Sequence, residues 1–151
     1  MSNPLQFRRV LIVLFTIALL AAPVIAWQAA VEPAPVEDDM HEFMEYMFEP
    51  AFKRVRTAMA SEPADRGGWK AIKGDSLVLA EACNLLLSRG PEEKGDEWKK
   101  LAAVVRGHGS DFYGAAKKRD FAAARKSYES MVASCNKCHQ IFADGEHQLT
   151  P

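Results

Sequence analysis

From Asp38 onward the apolar residues recur at alternating steps of three and four, the spacing of a helix with one buried face. In the first stretch, about Asp38 to Ala60, Met40, Met44, Met47, Ala51, Val55 and Ala58 share that face. Pro50 lies inside it without the backbone donor an interior turn needs, so a kink near Phe48–Pro50 is predicted. Ser61-Glu62-Pro63-Ala64-Asp65 ends the stretch. The second, about Gly68 to Arg89, places Trp69, Ile72, Ser76, Leu79, Cys83 and Leu86 on one seam. Gly90-Pro91-Glu92-Glu93 then reads as a stop glycine, a first-turn proline and two acids suited to a helix N-terminus. A third helix is therefore expected from Pro91 to about Lys118, with Trp98, Leu101, Val105, His108, Phe112 and Ala115 inward. Gly107, Gly109 and Gly114 each weaken it by about 1 kcal/mol against Ala, and a break near 107–110 is expected. Asp120 is suited to cap a fourth helix whose face carries Phe121, Ala124, Tyr128, Met131, Cys135, Cys138 and Phe142, closed by Gly145. Four helices with short connections predict an all-α, antiparallel up-down-up-down four-helix bundle. In it the end of the fourth helix lies beside the start of the first and the corner between the second and third.

The N-terminus follows a different pattern. Arg8 and Arg9 precede an apolar run of 13 residues, Val10 to Ala22, followed by Pro23 and Val24-Ile25-Ala26. A positive start, a short apolar run and small residues before the cut describe a secretory signal peptide over 1–26, removed after Ala26. The other reading is an uncleaved anchor, since the run extended to Trp27 reaches 18 residues and can just span a bilayer. Membrane association is expected only in that case. Residues 27–37 read as a Pro/Ala-rich linker and 38–151 as the domain, which either way ends up exported, in the periplasm or its equivalent.

Composition narrows the function. Apolar residues are 48% and charged residues 26% of 151, a globular balance that excludes a mainly disordered chain. Lys and Arg number 19 against 20 Asp and Glu, for a net charge of −1. No basic field exists to hold a phosphate backbone, so a nucleic acid is not an expected partner. No acid–base pair or activated nucleophile stands out, and the chain is not read as an enzyme. Three cysteines are too few for a disulfide framework.

Two of those cysteines carry the chemistry, in Cys135-Asn136-Lys137-Cys138-His139. C-x-x-C-H reads as the attachment site of a c-type haem. Positions three and four apart are neighbours on a helix, so two thiols and the next imidazole can reach one planar ligand. Two thioether bonds would hold the porphyrin edge, and His139 would give an axial nitrogen to iron. Three other readings compete: a Cys135–Cys138 disulfide, a zinc site from Cys135, Cys138, His139 and His147, and a redox pair needing a βαβ context.

Export, four helices and C-x-x-C-H near the end of the last helix together resemble the cytochrome c-prime and c-556 group over about residues 38–143. The resemblance implies one covalent haem c on Cys135 and Cys138, His139 as proximal ligand and a distal residue from the first helix. It also allows two bundles to pair as a homodimer. Phe142 matches the aromatic often found three residues after that histidine, whereas Ala143 stands where the group often has Arg.

Distal candidates lie on the first helix. From Phe121 to His139 is 18 residues, roughly 27 Å of helix, and a similar count back from Ala60 favours Met44, then Met40, then Met47. Core filling is the competing reading for each. A Met/His pair would suit one-electron transfer to a redox partner protein; without a methionine ligand, a five-coordinate iron would suit nitric oxide or carbon monoxide. Leu86, Leu87, Trp98, Leu101 and Phe142 are candidates for the pocket wall. Cys83 and His108 read as core, His41 and His147 as surface. Glu37, Asp38, Asp39, Glu42, Glu45, Glu92, Glu93 and Asp96 gather at this end, which would favour a partner with a basic patch.

Overall fold

The computed structural model describes residues 34–151, which include the unit Pro35–Pro151. The expected signal peptide and most of the linker lie outside the described residues. Among the described residues the fold consists of four helices with no strand. Helix α1 spans 40–58 in three consecutive pieces: Met40–Phe43 is α-helical, Met44–Phe48 is a π turn and Glu49–Ala58 is α-helical again. Helices α2 (Arg66–Leu86), α3 (Gly95–Lys118) and α4 (Phe121–Phe142) are regular throughout. None of these is long and apolar enough to cross a membrane.

Aspartates start three of the four. The Asp39, Asp65 and Asp120 carboxylates accept from the amides of Glu42, Gly68 and Ala123 at 3.0, 2.8 and 3.0 Å, satisfying donors that the first turn leaves unpaired. Helix α3 begins differently. Pro91 is in the loop rather than in its first turn, and the chain enters the helix through Lys94 in the left-handed region, φ 58°. Gly90 serves the Trp98 indole: a Cβ there would lie 2.9 Å from Cδ1 of the ring.

The expected kink in α1 is the π turn, immediately before Pro50. The Glu49 amide bonds to the Met44 carbonyl five residues back, and Pro50 then falls in the first turn of Glu49–Ala58, where its missing donor costs nothing. An i→i+5 turn holds one residue more than an α turn. That extra residue turns Met47 off the inward line, so the face runs Met40, Met44, Phe48, Phe52, with Met47 39% exposed. At the far end Met59 takes the buried place expected of Ala58, which is half-buried.

The α2 seam is buried as its spacing predicts, at Trp69, Ile72, Ser76, Leu79, Cys83 and Leu86. Helix α3 buries Trp98, Leu101, Val105, Phe112 and Ala115, with His108 half-buried. It runs unbroken through 107–110, because Gly109 meets α2 there: a Cβ on it would stand 3.1 Å from the Ala80 Cα. Close packing outweighs the weak helix propensity of glycine. Helix α2 packs on α1 and α3, and α3 on α4. Between α1 and α4 no pair of Cα atoms comes within 8 Å. Low down, the Arg125 guanidinium of α4 reaches across to the Met59 carbonyl just beyond α1 at 2.6 Å, and Trp69 of α2 stands edge-on to Phe121 of α4 at 6.5 Å.

Candidate functional site

The space between α1 and α4 is a cavity of about 460 Å³, within the range that takes a prosthetic group. Helix α4 lines it with Met131, Val132, Cys135, Cys138, His139 and Phe142, a run at helical spacing on one face. Opposite stand Met40, Met44, Phe48 and Phe52 of α1, one turn apart from each other. Leu79 and Leu86 of α2 and Trp98, Ala102 and Val105 of α3 close the back. The wall is predominantly apolar, and His41, Glu45 and Glu49 supply the polar groups on the α1 side.

The residues expected at a site fall in different places. Cys135, Cys138, His139, Met40, Met44, Leu86, Trp98 and Phe142 all face one cavity. Met47 does not, for the reason given by the π turn. Leu101 is buried without lining the cavity, and its neighbour Ala102 does so instead. Leu87 borders a separate depression over the α2–α3 loop. Trp98 is fixed by its indole N–H, which donates to the Leu86 carbonyl at 2.6 Å, and by an edge-on contact with Phe142 at 5.1 Å. Arg89 pins the start of α1 from the α2–α3 corner, with its guanidinium 4.0 Å from the Phe43 ring centre and bonded to the Glu37 carbonyl.

The thiols and the imidazole have distinct electrostatics. Burial pushes the Cys135 thiol up to about 12, with Cys83 and Cys138 adding to the effect. Burial also raises Cys138. Both are unpaired cysteines held as neutral thiols, as is Cys83, likewise pushed up to about 12 by burial. Burial lowers His139, outweighing the hydrogen bond to His147 that favours the charged form. That hydrogen bond joins Nδ1 to the His147 carbonyl at 2.9 Å. A carbonyl only accepts, so Nδ1 carries a ring proton, and in the neutral imidazole that burial favours, Nε2 keeps a free lone pair. The imidazole is neutral, oriented and ready to act as a ligand.

The segment after α4 also shapes the site, which its sequence does not announce. His147 is exposed as a side chain, but its carbonyl orients His139, and its ring lies 5.5 Å from that of His41. Leu149 also lines the cavity. Phe48 and Phe52, not expected there, continue the four-residue step from Met44; the segment after α4 carries no periodic signal. Among the described residues, no three His, Cys, Asp or Glu side chains converge as a metal cage, and no strand supports a βαβ redox site. Compared with known proteins, the sequence matches no family model and no curated protein.

Proposed function

We propose that the chain is an exported monohaem c-type cytochrome that carries out one-electron transfer. The observation that carries this reading is the set Cys135, Cys138 and His139 on one face of α4, turned into an apolar cavity with His139 held as the Nδ1–H tautomer. The residues fit such a group: two neutral thiols for thioether bonds to the ring edge, a free Nε2 for iron, and a cavity of about 460 Å³ for the ring. When bound, the haem supplies a one-electron couple at its iron. Cys135 and Cys138 fix the ring to α4, and the His147 carbonyl keeps His139 aimed. Met44, across the cavity on α1, offers a thioether sulfur as the distal ligand. Phe48, Phe52, Leu79 and Val105 keep water from the ring, which lets the couple change charge in a fixed, dry surrounding.

In this reading the four helices form an antiparallel up-down-up-down bundle, delivered outside the cytoplasm by a signal peptide over 1–26. Glu45 and Glu49 border the cavity and lie with Glu37, Asp38, Asp39 and Glu42 along one acidic stretch, which favours a redox partner with a basic patch. The test is an optical spectrum, oxidised and reduced, of protein exported from cells that attach haem c. Sharp, split low-spin bands on reduction are the expected result. A high-spin spectrum that shifts with carbon monoxide would move the function to gas binding at a five-coordinate iron. Absence of covalent haem would overturn the reading at its root.

A further inference from the structure

Beyond α4 the chain turns back on itself. Asp144, Gly145 and His147 all have positive φ, at 50°, 78° and 56°. The amides of Ala143 and Gly145 both bond to the His139 carbonyl, at 2.9 and 3.1 Å, and the Glu146 amide bonds to the Ala143 carbonyl at 2.8 Å. These bonds end the helix and send residues 146–149 back along it.

The returning segment is caught by Asn136, a residue inside the cysteine motif. Its carboxamide oxygen accepts from the Leu149 amide at 2.7 Å, and its Nδ2 donates to the Leu149 carbonyl at 2.9 Å. A backbone amide only donates and a carbonyl only accepts, so both ends of the carboxamide are assigned by their partners. Asparagine acts here as one residue of a strand would, pairing both groups of Leu149. The Leu149 side chain adds an apolar anchor, packed on the core and facing the cavity. Asn136 and His139 are three apart, hence neighbours on α4, and their partners Leu149 and His147 are two apart on the tail. Two adjacent side chains of the motif therefore grip two adjacent points of one segment.

We infer that Asn136 is a positioning residue: by holding Leu149 it registers the returning segment so that the His147 carbonyl takes the ring N–H of His139 and sets how strongly the opposite nitrogen donates. This rests on the proposed function, in which that nitrogen binds iron. Groups bonded to the outer nitrogen of a ligating imidazole fix its tautomer and raise its basicity. A stronger donor favours the oxidised metal, so loss of the clamp shifts the couple toward the reduced form. Asn136→Ala removes both bonds. Asn136→Asp keeps an acceptor for the Leu149 amide but faces the Leu149 carbonyl with a second acceptor.

The test uses the full-length, haem-loaded protein, 15N-labelled. The two readouts are solvent exchange of the His139 ring N–H by NMR and the reduction potential by spectroelectrochemistry. In the parent protein that N–H is expected to be protected. In Asn136→Ala and Asn136→Asp it should exchange about tenfold faster, the factor that losing the protection of one net hydrogen bond gives, and the potential should rise. A chain ending at Gln148 lacks Leu149 with the motif untouched and should behave the same way; adding Asn136→Ala to it should change nothing further. His147→Asn, which keeps the carbonyl and tolerates positive φ, should remain like the parent. If Asn136→Ala or the shortened chain carries haem with parental exchange and potential, the positioning role is overturned while the cytochrome reading stands. If the parent protein carries no haem, it is the cytochrome reading that fails. A variant that does not load haem leaves the decision to the shortened chain.

Discussion

Tyr128 is fully enclosed, 0% exposed, packed 5.6 Å from the Phe112 ring, and its hydroxyl has no hydrogen-bond partner among the described residues. Such a group forgoes its bond to water in the unfolded chain, at a cost of about 1–3 kcal/mol. Tyr128→Phe keeps the ring and deletes only the unpaired atom. Thermal unfolding should show a gain of about 1 kcal/mol, or roughly 3–5 °C in Tm, whereas a loss of stability would mean that the hydroxyl is paired in solution. The methionines of α1 differ by orientation alone. If the proposed cytochrome is right, Met44→Ala should abolish the low-spin spectrum of the haem-loaded protein, and Met47→Ala, exposed and off the cavity, should leave it unchanged. A low-spin spectrum surviving in Met44→Ala would transfer the distal role to Met40 and predict its loss in Met40→Ala. Single residues were legible where chemistry constrains neighbours in sequence, as in Cys135 to His139. They were not where a contact joins distant backbone, as with the His147 carbonyl, because a carbonyl has no signature in a sequence.

At the scale of elements, the seam of α2 follows its spacing residue for residue, since a regular helix between two neighbours has nothing to disturb its register. Helix α1 departs from its spacing at the π turn. A step of three from Met44 to Met47 and a step of four to Phe48 are equally helical on paper, and hydrogen bonding next to Pro50 decides between them. Helix α3 departs at its start and middle, in both cases because glycine is ambiguous. Gly90 read as a helix stop, and its role is room for Trp98; Gly109 read as a break, and its role is close approach to Ala80. That difference is measurable. Gly109→Val places side-chain atoms against the α2 backbone, which cannot yield, and should cost about 1–3 kcal/mol in urea unfolding. Gly107 and Gly114 have nothing within 4 Å of an added Cβ, so Gly107→Ala and Gly114→Ala should each stabilise by about 0.5–1 kcal/mol. Equal effects at all three sites would remove the argument that packing holds α3 together through 107–110.

For the molecule as a whole, burying thiols and an imidazole in neutral form makes the stability of the haem-free chain depend on pH from both sides. His139 is a base whose folded pKa lies below its ordinary 6.5. Under acid the unfolded chain takes up that proton first, so stability falls as pH drops below about 6.5 and the loss levels off past the folded value. Cys83 is an acid raised from 9.0 to about 12. Above pH 9 the unfolded thiol ionises while the folded one stays protonated, so stability falls as pH climbs from 9 toward 12. At pH 10 this amounts to about 1 kcal/mol from Cys83 alone; Cys135, shifted from 9.0 to about 12 as well, adds to it. Urea unfolding of the reduced, haem-free chain should therefore show a plateau between about pH 6.5 and 9 with a falling limb on each side. Cys83→Ala should make the alkaline limb shallower. In the proposed cytochrome, covalent attachment would consume the thiols of Cys135 and Cys138 as thioethers, which do not ionise, so the haem-loaded protein should retain only the Cys83 share of that limb. An alkaline limb equally steep with and without haem would mean that Cys135 contributes nothing to it, and that its thiol is not held neutral by the folded chain.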